Sequence, residues 1–260
     1  MKISIVTISY NQAEYLQQCI DSVVSQDIDG LQYIVVDPGS TDNSDEIIKS
    51  NKNFISVYLD EPDDGPADGL NNGFAMAEGE IYGYINADDA FAPGALKFVV
   101  DFFEARPNVD VLCGAIRIID SRGRPSLRKR TSDKFNIADY MAGICTIGQQ
   151  ATFFRRKAFE AAGGFNENNK ITWDGELLVD LALSGNVFET VFKVLGDFRV
   201  YPESITGSNK FINKQREEFN RIKMELLENK VELYSDSTLP LHRLLYKLNL
   251  LRHIKYLMVS

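Results

Sequence analysis

The apolar positions of this chain switch between two periods. Lys2-Ile-Ser-Ile-Val-Thr-Ile-Ser9 is a β-branched run closed by Tyr10-Asn11 and reads as a strand. Over residues 14–26, Leu16, Cys19, Ile20, Val23 and Val24 recur at helical spacing. The alternation continues with a strand over 33–37, a helix over 42–49, a strand over 54–59, a helix over 67–77 and a strand over 81–86. This β-α-β-α-β-α-β order predicts a mostly parallel sheet covered by helices on both faces. In such sheets ligands bind outside the carboxyl ends of the strands. The polar clusters Ser9-Tyr10-Asn11, 37–42 and Asn86-Ala87-Asp88-Asp89 all fall there.

The second half is less regular. The pattern predicts a helix over 93–104, a strand over 109–119 and a basic Gly/Pro-containing loop over 120–132. A strand over 148–154 and a short helix over 156–162 follow, the helix ended by Gly163-Gly164. A helix over 174–183 ends at Gly185, and 187–200 reads as extended. A long charged helix over 210–232 and a last helix over 239–258 complete the chain.

Composition narrows the classes. The chain has 260 residues, is 44% hydrophobic and carries a net charge of −9, which argues against a general nucleic-acid-binding surface. Its three cysteines, Cys19, Cys113 and Cys145, are odd in number and form no CxxC pair, so a disulfide framework or zinc site is not expected and a reducing compartment fits better. The N-terminus opens directly as a strand, with no leader pattern. No apolar run has the length of a membrane span.

The paired carboxylates Asp88 and Asp89 close the apolar run Ile81-Tyr-Gly-Tyr-Ile85. Two like charges ~4 Å apart repel by roughly 4 kcal/mol at an effective dielectric near 20. A hard divalent cation such as Mg²⁺ or Mn²⁺ offsets that, and such ions commonly bridge to phosphates. A solvated acidic turn capping the next helix is the alternative reading. Ser9-Tyr10-Asn11 has neither the glycines of a dinucleotide loop nor a P-loop Lys. Asp37 is placed to accept hydrogen bonds from a base or ribose, and Asp42 to cap a helix. Glu61-Pro-Asp-Asp-Gly leads into a helix on which Asp68 and Asn71 share a face. Asp174 and Glu176 open another helix, where a carboxylate also serves as an ordinary dipole partner.

Together these segments resemble family 2 of the inverting glycosyltransferases. The resemblance rests on Ser4-Ile-Val-Thr-Ile-Ser-Tyr-Asn11, Val35-Val-Asp-Pro-Gly-Ser-Thr-Asp42 and Gly83-Tyr-Ile-Asn-Ala-Asp-Asp89, then Gln149-Gln-Ala-Thr-Phe-Phe-Arg155, Gly163-Gly-Phe-Asn-Glu167 and Trp173-Asp174. It covers roughly residues 2 to 207 and is closest in pattern to a bacterial subset making surface polysaccharides.

The resemblance implies the GT-A fold, a Rossmann-like mixed, mostly parallel sheet. It divides residues 1–207 into a nucleotide half (about 1–105) and an acceptor half (about 106–207), with a helical extension over 208–260. It implies a nucleoside diphosphate sugar donor, UDP most of all, and a glycan or lipid-linked glycan acceptor. Ile8, Tyr10, Asp37 and Asp68 are expected at the nucleoside, Asn86 at the ribose or metal, and Asn71, Ala87, Gln150 and Trp173 among the other substrate-binding residues. Asp88 and Asp89 are expected at Mn²⁺ or Mg²⁺, and Asp174 as the general base.

The chain departs from the family pattern at Asn86, Pro38 and Trp173, where acidic residues are usual, and at Tyr201, where many relatives carry histidine. Trp173 is expected to stack on a sugar ring instead. A sugar-1-phosphate nucleotidyltransferase or a non-catalytic sugar-nucleotide module are the rival readings. The first lacks its glycine-rich basic loop here, and the second would not need Asp88 and Asp174 in one cleft. A cytoplasmic location is expected. The last helix, with Arg243, Lys247, Arg252 and Lys255 among leucines, suits either an anionic membrane surface or packing against protein, a second subunit included.

Overall fold

The computed structural model describes residues 1–202, 204, 211–235 and 237–248. The first half alternates as predicted: β1 (Ile3–Ile8), α1 (Ala13–Val24), β2 (Leu31–Val36), α2 (Ser44–Ser50), β3 (Val57–Leu59), α3 (Pro66–Ala75) and β4 (Ile81–Asn86). Then come β5 (Ala90–Phe91), α4 (Ala95–Ala105), β6 (Val111–Ile119), β7 (Pro125–Arg130) and α5 (Ile137–Met141). A 3₁₀ turn at Gln149–Ala151 leads into β8 (Thr152–Arg155), α6 (Arg156–Ala162), α7 (Trp173–Leu183) and β9 (Phe188–Arg199). Two helices follow, α8 (Ile212–Glu228) and α9 (Leu239–Leu248).

The strands form one mixed sheet in the order β3-β2-β1-β4-β8-β6-β9-β5, with β7 hydrogen-bonded to β6. β3, β2, β1 and β4 pair in parallel, as does β6 with β9. β8 enters antiparallel between β4 and β6 and joins the two halves of the chain in one sheet.

Alternation along β1 and β4 sends Ile3, Ile5, Ile81 and Ile85 to one face and Val6, Tyr82 and Tyr84 to the other. The first face is covered by Leu16, Ile20 and Val23 of α1 and by Leu96, Val99 and Phe103 of α4. The second is covered by Leu70 and Phe74 of α3, Phe159 of α6, and Leu177 and Leu181 of α7. Helices therefore cover both faces, as a β-α alternation requires. α3 lies so close to β1 that a side chain at Gly73 would meet Val6 Cγ1 at 2.6 Å.

Three differences from the sequence expectation have local causes. The 120–132 loop contains β7, because Asp120 collects the N–H groups of Arg122 and Arg124 at 3.0 and 2.9 Å and turns the chain back on β6. The 148–154 strand begins as a 3₁₀ turn. There Ser132 Oγ accepts from Gly148 N–H at 3.0 Å, and Thr152 Oγ1 donates to the Gly148 carbonyl at 2.8 Å. α5 and β5 are too short to carry a period. Much of 203–210 and everything beyond Leu248, including Arg252, Lys255 and the rest of the expected 239–258 helix, lie outside the described residues.

α8 packs on the outer side of α7 through Ile222 and Leu226 against Val179. Arg221 Nη2 donates to the buried Glu176 Oε2 at 2.6 Å, and Asn166 and Asn169 donate to the same carboxylate at 2.8 and 2.6 Å. Among the described residues no helix is long and apolar enough to cross a membrane.

Candidate active site

The loops after β1 and β2 are stitched together at the carboxyl edge of the sheet. Asn11 takes a left-handed φ of 53°, a conformation asparagine tolerates. Its N–H donates to Ser40 Oγ at 2.7 Å, and its Oδ1 accepts from Thr41 N–H at 2.8 Å. Asp37, expected at the base or ribose, is 1% exposed and accepts from Ser40 N–H and Ser40 Oγ, both at 2.7 Å. In this structure it builds the loop that leaves Tyr10 open, 59% exposed, at the rim. Asp42 accepts from Ala13 N–H and Ser44 N–H, both at 2.9 Å, so it serves the first turns of two helices. Burial pushes its carboxyl up, and the hydrogen bonds from Ser44 and Ala13 bring it below its usual value.

After β4 the chain makes a tight turn in which Asp89 N–H donates to the Asn86 carbonyl at 3.0 Å. The turn sends its two carboxylates opposite ways. Asp89, expected at a metal, is 1% exposed: Oδ1 accepts from Arg199 N–H and Oδ2 from Gln150 Nε2, both at 2.8 Å. Burial, and then the charge of Asp88, push its carboxyl well above the usual value. Its place is therefore a strut inside the sheet. Asp88 stays half-buried at the edge, and its Oδ2 accepts from the Tyr201 hydroxyl at 3.0 Å. Burial raises Asp88 too, while the Tyr201 bond and the Arg199 charge pull it down.

Arg199, which the sequence reading passed over, is the keystone beneath this turn. It is fully buried, with its guanidinium 4.6 Å above the Tyr15 ring. It donates to the carbonyls of Asp88 (2.6 Å), Asp120 (3.0 Å) and Ser121 (3.2 Å) and to Gln18 Oε1 (2.7 Å). The available signal was an arginine two residues after Asp197 at the end of a largely apolar run, Val194-Leu-Gly-Asp-Phe-Arg-Val200. Asn86 Oδ1, on the same turn, is buried with no hydrogen-bond partner. An unsatisfied buried acceptor costs ~1–3 kcal/mol and calls for a partner, water or an ion among them.

Asp174 lies at the start of α7, its Oδ1 accepting from Gly175 N–H at 2.8 Å. It lines a cavity of about 30 Å³ with Tyr84, Tyr140, Gln149, Thr152 and Leu178. Burial raises its carboxyl, opposed by backbone hydrogen bonds from Gly175 and Asp174 itself. The 3₁₀ turn connects the two acidic centres: Gln149 faces the Asp174 cavity and donates to the Tyr84 carbonyl at 3.3 Å, while its neighbour Gln150 holds Asp89.

Several expected substrate residues have other work. Asn71 latches α3 to the 163–167 turn: it donates to the Phe165 carbonyl and Glu167 Oε1 at 2.9 and 2.8 Å and accepts from Phe165 N–H at 3.0 Å. Trp173 is 8% exposed and packs on Tyr84 and Phe165 with ring centroids 5.7 and 5.5 Å away, so its face is not open to a sugar. Ala87 is buried and donates its N–H to the Ile8 carbonyl at 3.0 Å. Gln150 is buried behind Asp89. Ile8, Asp68, Asn86, Asp88 and Asp174 remain partly open, Asp68 with Oδ2 accepting from Asp64 N–H at 2.8 Å.

Among the described residues no three His, Cys, Asp or Glu side chains converge on one point. The turn nevertheless offers an oxygen-only set, Asp88 and the unpartnered Asn86 Oδ1, whose chemistry fits a hard divalent cation completed by phosphate and water.

Comparison with known proteins follows the same lines. The family described as "Glycosyl transferase family 2" matches residues 4–163. The poly(ribitol-phosphate) beta-glucosyltransferase of Bacillus spizizenii is 31% identical over 180 residues, 66% of this chain and 27% of that protein. The chain spans 65 to 69% of the length of other curated relatives it matches. The structure of S. aureus TarS 1–349 in complex with UDP-GlcNAc superposes with a TM-score of 0.63 at 22% identity, over 80% of this chain and 61% of TarS 1–349. The mannosyltransferase PcManGT of Pyrobaculum calidifontis, in complex with GDP-Man and Mn²⁺, does so with a TM-score of 0.56 at 21% identity, over 73% and 54%. With its sheet order, its paired acidic turn and more than half its length matched, the chain belongs to glycosyl transferase family 2 and has the GT-A fold.

Proposed function

We propose that this glycosyltransferase moves a sugar, with inversion, from a UDP-linked donor to a hydroxyl of a glycan or lipid-linked glycan in surface polysaccharide synthesis. The observation that carries this reading is the 3₁₀ turn that ties the Asp88–Asp89 turn to the Asp174 cavity at one edge of the sheet. A donor platform and a base are then held by adjacent residues. UDP-GlcNAc in TarS, GDP-Man with Mn²⁺ in PcManGT and the poly(ribitol-phosphate) substrate named for the Bacillus spizizenii relative support the donor class, the metal and the surface polymer.

Tyr10, Ile8 and Asp68 flank the nucleoside, on loops that Asp37 and Asn11 hold rigid. Asp88 and Asn86 would hold Mn²⁺ or Mg²⁺, which would supply charge neutralisation at the departing diphosphate. Asp174 accepts the acceptor hydroxyl's proton as that oxygen bonds to the anomeric carbon and the carbon–phosphate oxygen bond breaks, releasing UDP. A carboxyl raised by burial is a stronger base for this step than a solvated one. The three cysteines are buried and none is in a disulfide, which fits a reducing, cytoplasmic setting.

Calorimetry of UDP binding with Mn²⁺ and with EDTA tests the donor half. The expected result is Mn²⁺-dependent binding that Asp88→Ala abolishes. Equal binding by both proteins under both conditions would overturn the metal assignment.

A further inference from the structure

α9 is docked the opposite way to an ordinary surface helix. Leu241, Leu244, Leu245 and Leu248 have the i, i+3, i+4, i+7 spacing of one helical face, and they are 53–67% exposed. Polar and aromatic side chains off that stripe hold the helix to the protein. Arg243 donates twice to the Ala142 carbonyl, at 2.8 and 3.1 Å. The Tyr246 hydroxyl donates to the Asp133 carboxylate. The His242 ring stacks on Tyr234 at 3.9 Å, and the Tyr234 hydroxyl donates to Asp139 at 2.7 Å. The leucine stripe adds nothing to folding where it stands, and a continuous exposed stripe of this kind marks a surface that something else covers.

Charge selects the occupant. From Leu239 to Ser260 the sequence carries Arg243, Lys247, Arg252 and Lys255 and no Asp or Glu, on a chain whose net charge is −9. A second copy seated by two-fold symmetry would bring two such basic segments together. An anionic lipid surface attracts them and accepts leucines below its headgroups. We propose that the leucine face of α9 lies on an anionic membrane. The helix is attached to residues 133–142, and Tyr140 from that segment lines the Asp174 cavity, so docking sets the acceptor side of the enzyme beside the lipid. A lipid-linked acceptor then reaches the base without leaving the surface.

The test is flotation of the full-length protein, without substrate, with vesicles of phosphatidylcholine alone or of equimolar phosphatidylcholine and phosphatidylglycerol. The protein should float with the mixed vesicles, far less with phosphatidylcholine alone, and less as salt is raised. Leu241→Gln/Leu244→Gln/Leu245→Gln should cut the floated fraction by at least about tenfold. Its melting temperature should not change, because the three side chains are exposed and Gln keeps helix propensity. No flotation with mixed vesicles overturns the proposal, and so does flotation that the triple variant retains. Light scattering that finds a dimer, made monomeric by the same substitutions, would assign the face to a second copy and also overturn it. Flotation needs no donor or acceptor, so its failure leaves the transferase reading untouched.

Discussion

The proposed base has to be ionised before it can take a proton, and Asp174, though partly open, ionises late because its carboxyl is largely withdrawn from water. Its protonated form therefore persists to higher pH than that of a free aspartate, near 3.9. Transfer should rise with pH along an acid limb lying clearly above that value, measured as UDP released at saturating donor and Mn²⁺. Asp174→Asn should remove the limb and lose ~10²–10⁴-fold in rate while folding normally. A limb at the free-aspartate value, or near-normal turnover of the variant, would remove Asp174 from this role. Arg199 works on stability instead. Arg199→Met strips the Asp88, Asp120 and Ser121 carbonyls of their donor and leaves Asp89 without a nearby counter-charge. A buried acceptor left without its donor costs ~1–3 kcal/mol, so the loss of these bonds should be read by denaturant unfolding as several kcal/mol; a loss under about 1 kcal/mol would show that Arg199 is no keystone. Residue types and spacing singled out Asp88 and Asp174 as candidates in the sequence. They did not separate Asp88 from Asp89, because adjacent residues on a turn face opposite ways and only the partners, Tyr201 outside and Gln150 inside, decide which is open. Asn71 and Trp173 were misplaced for a related reason: an amide and an aromatic ring are as useful to a latch and a core as to a sugar.

At the level of elements, the first seven were readable because the longer ones show their period and the alternation places the short β3 between two helices. β7, β5 and α5 were not, since a hairpin on Asp120, a two-residue strand and a five-residue helix leave almost no pattern. The contact between α7 and α8 carries a further consequence. Asp180 of α7 is partly buried there, and burial, then the charges of Glu176 and Glu225, raise its carboxyl to about 6. Between about pH 4 and pH 6 the folded protein keeps a proton that the unfolded chain has released. Stability from this group is therefore present at low pH and lost as pH rises through that window. Asp180→Asn should stabilise the protein at neutral pH by on the order of 1–2 kcal/mol and have no effect below about pH 4, as followed by thermal unfolding across the range. A gain that does not depend on pH would contradict the assignment.

For the whole molecule, the sequence divided the chain into a nucleotide half and an acceptor half, whereas the sheet runs through both. β8 bonds to β4 on one side and to β6 on the other, with Tyr82, Phe154 and Val111 in one row. Phe153 and Phe154 are fully buried on its two faces, each in a different core. Amides of β4, β8 and β6 should therefore exchange with deuterium together and slowly, as one cooperative unit. Earlier exchange of β6 than of β4 would show separate units.

That single strand also makes the enzyme a ruler. Neighbouring strands lie ~4.8 Å apart, and hydrogen bonds rather than a hinge set the distance from β4, which leads into the Asp88–Asp89 turn, across β8 to β6. Pairing of β8 with both β4 and β6 leaves no hinge between those strands. On the proposed reading, changes in specificity would come from the loops at the edge of this sheet rather than from the spacing of its strands.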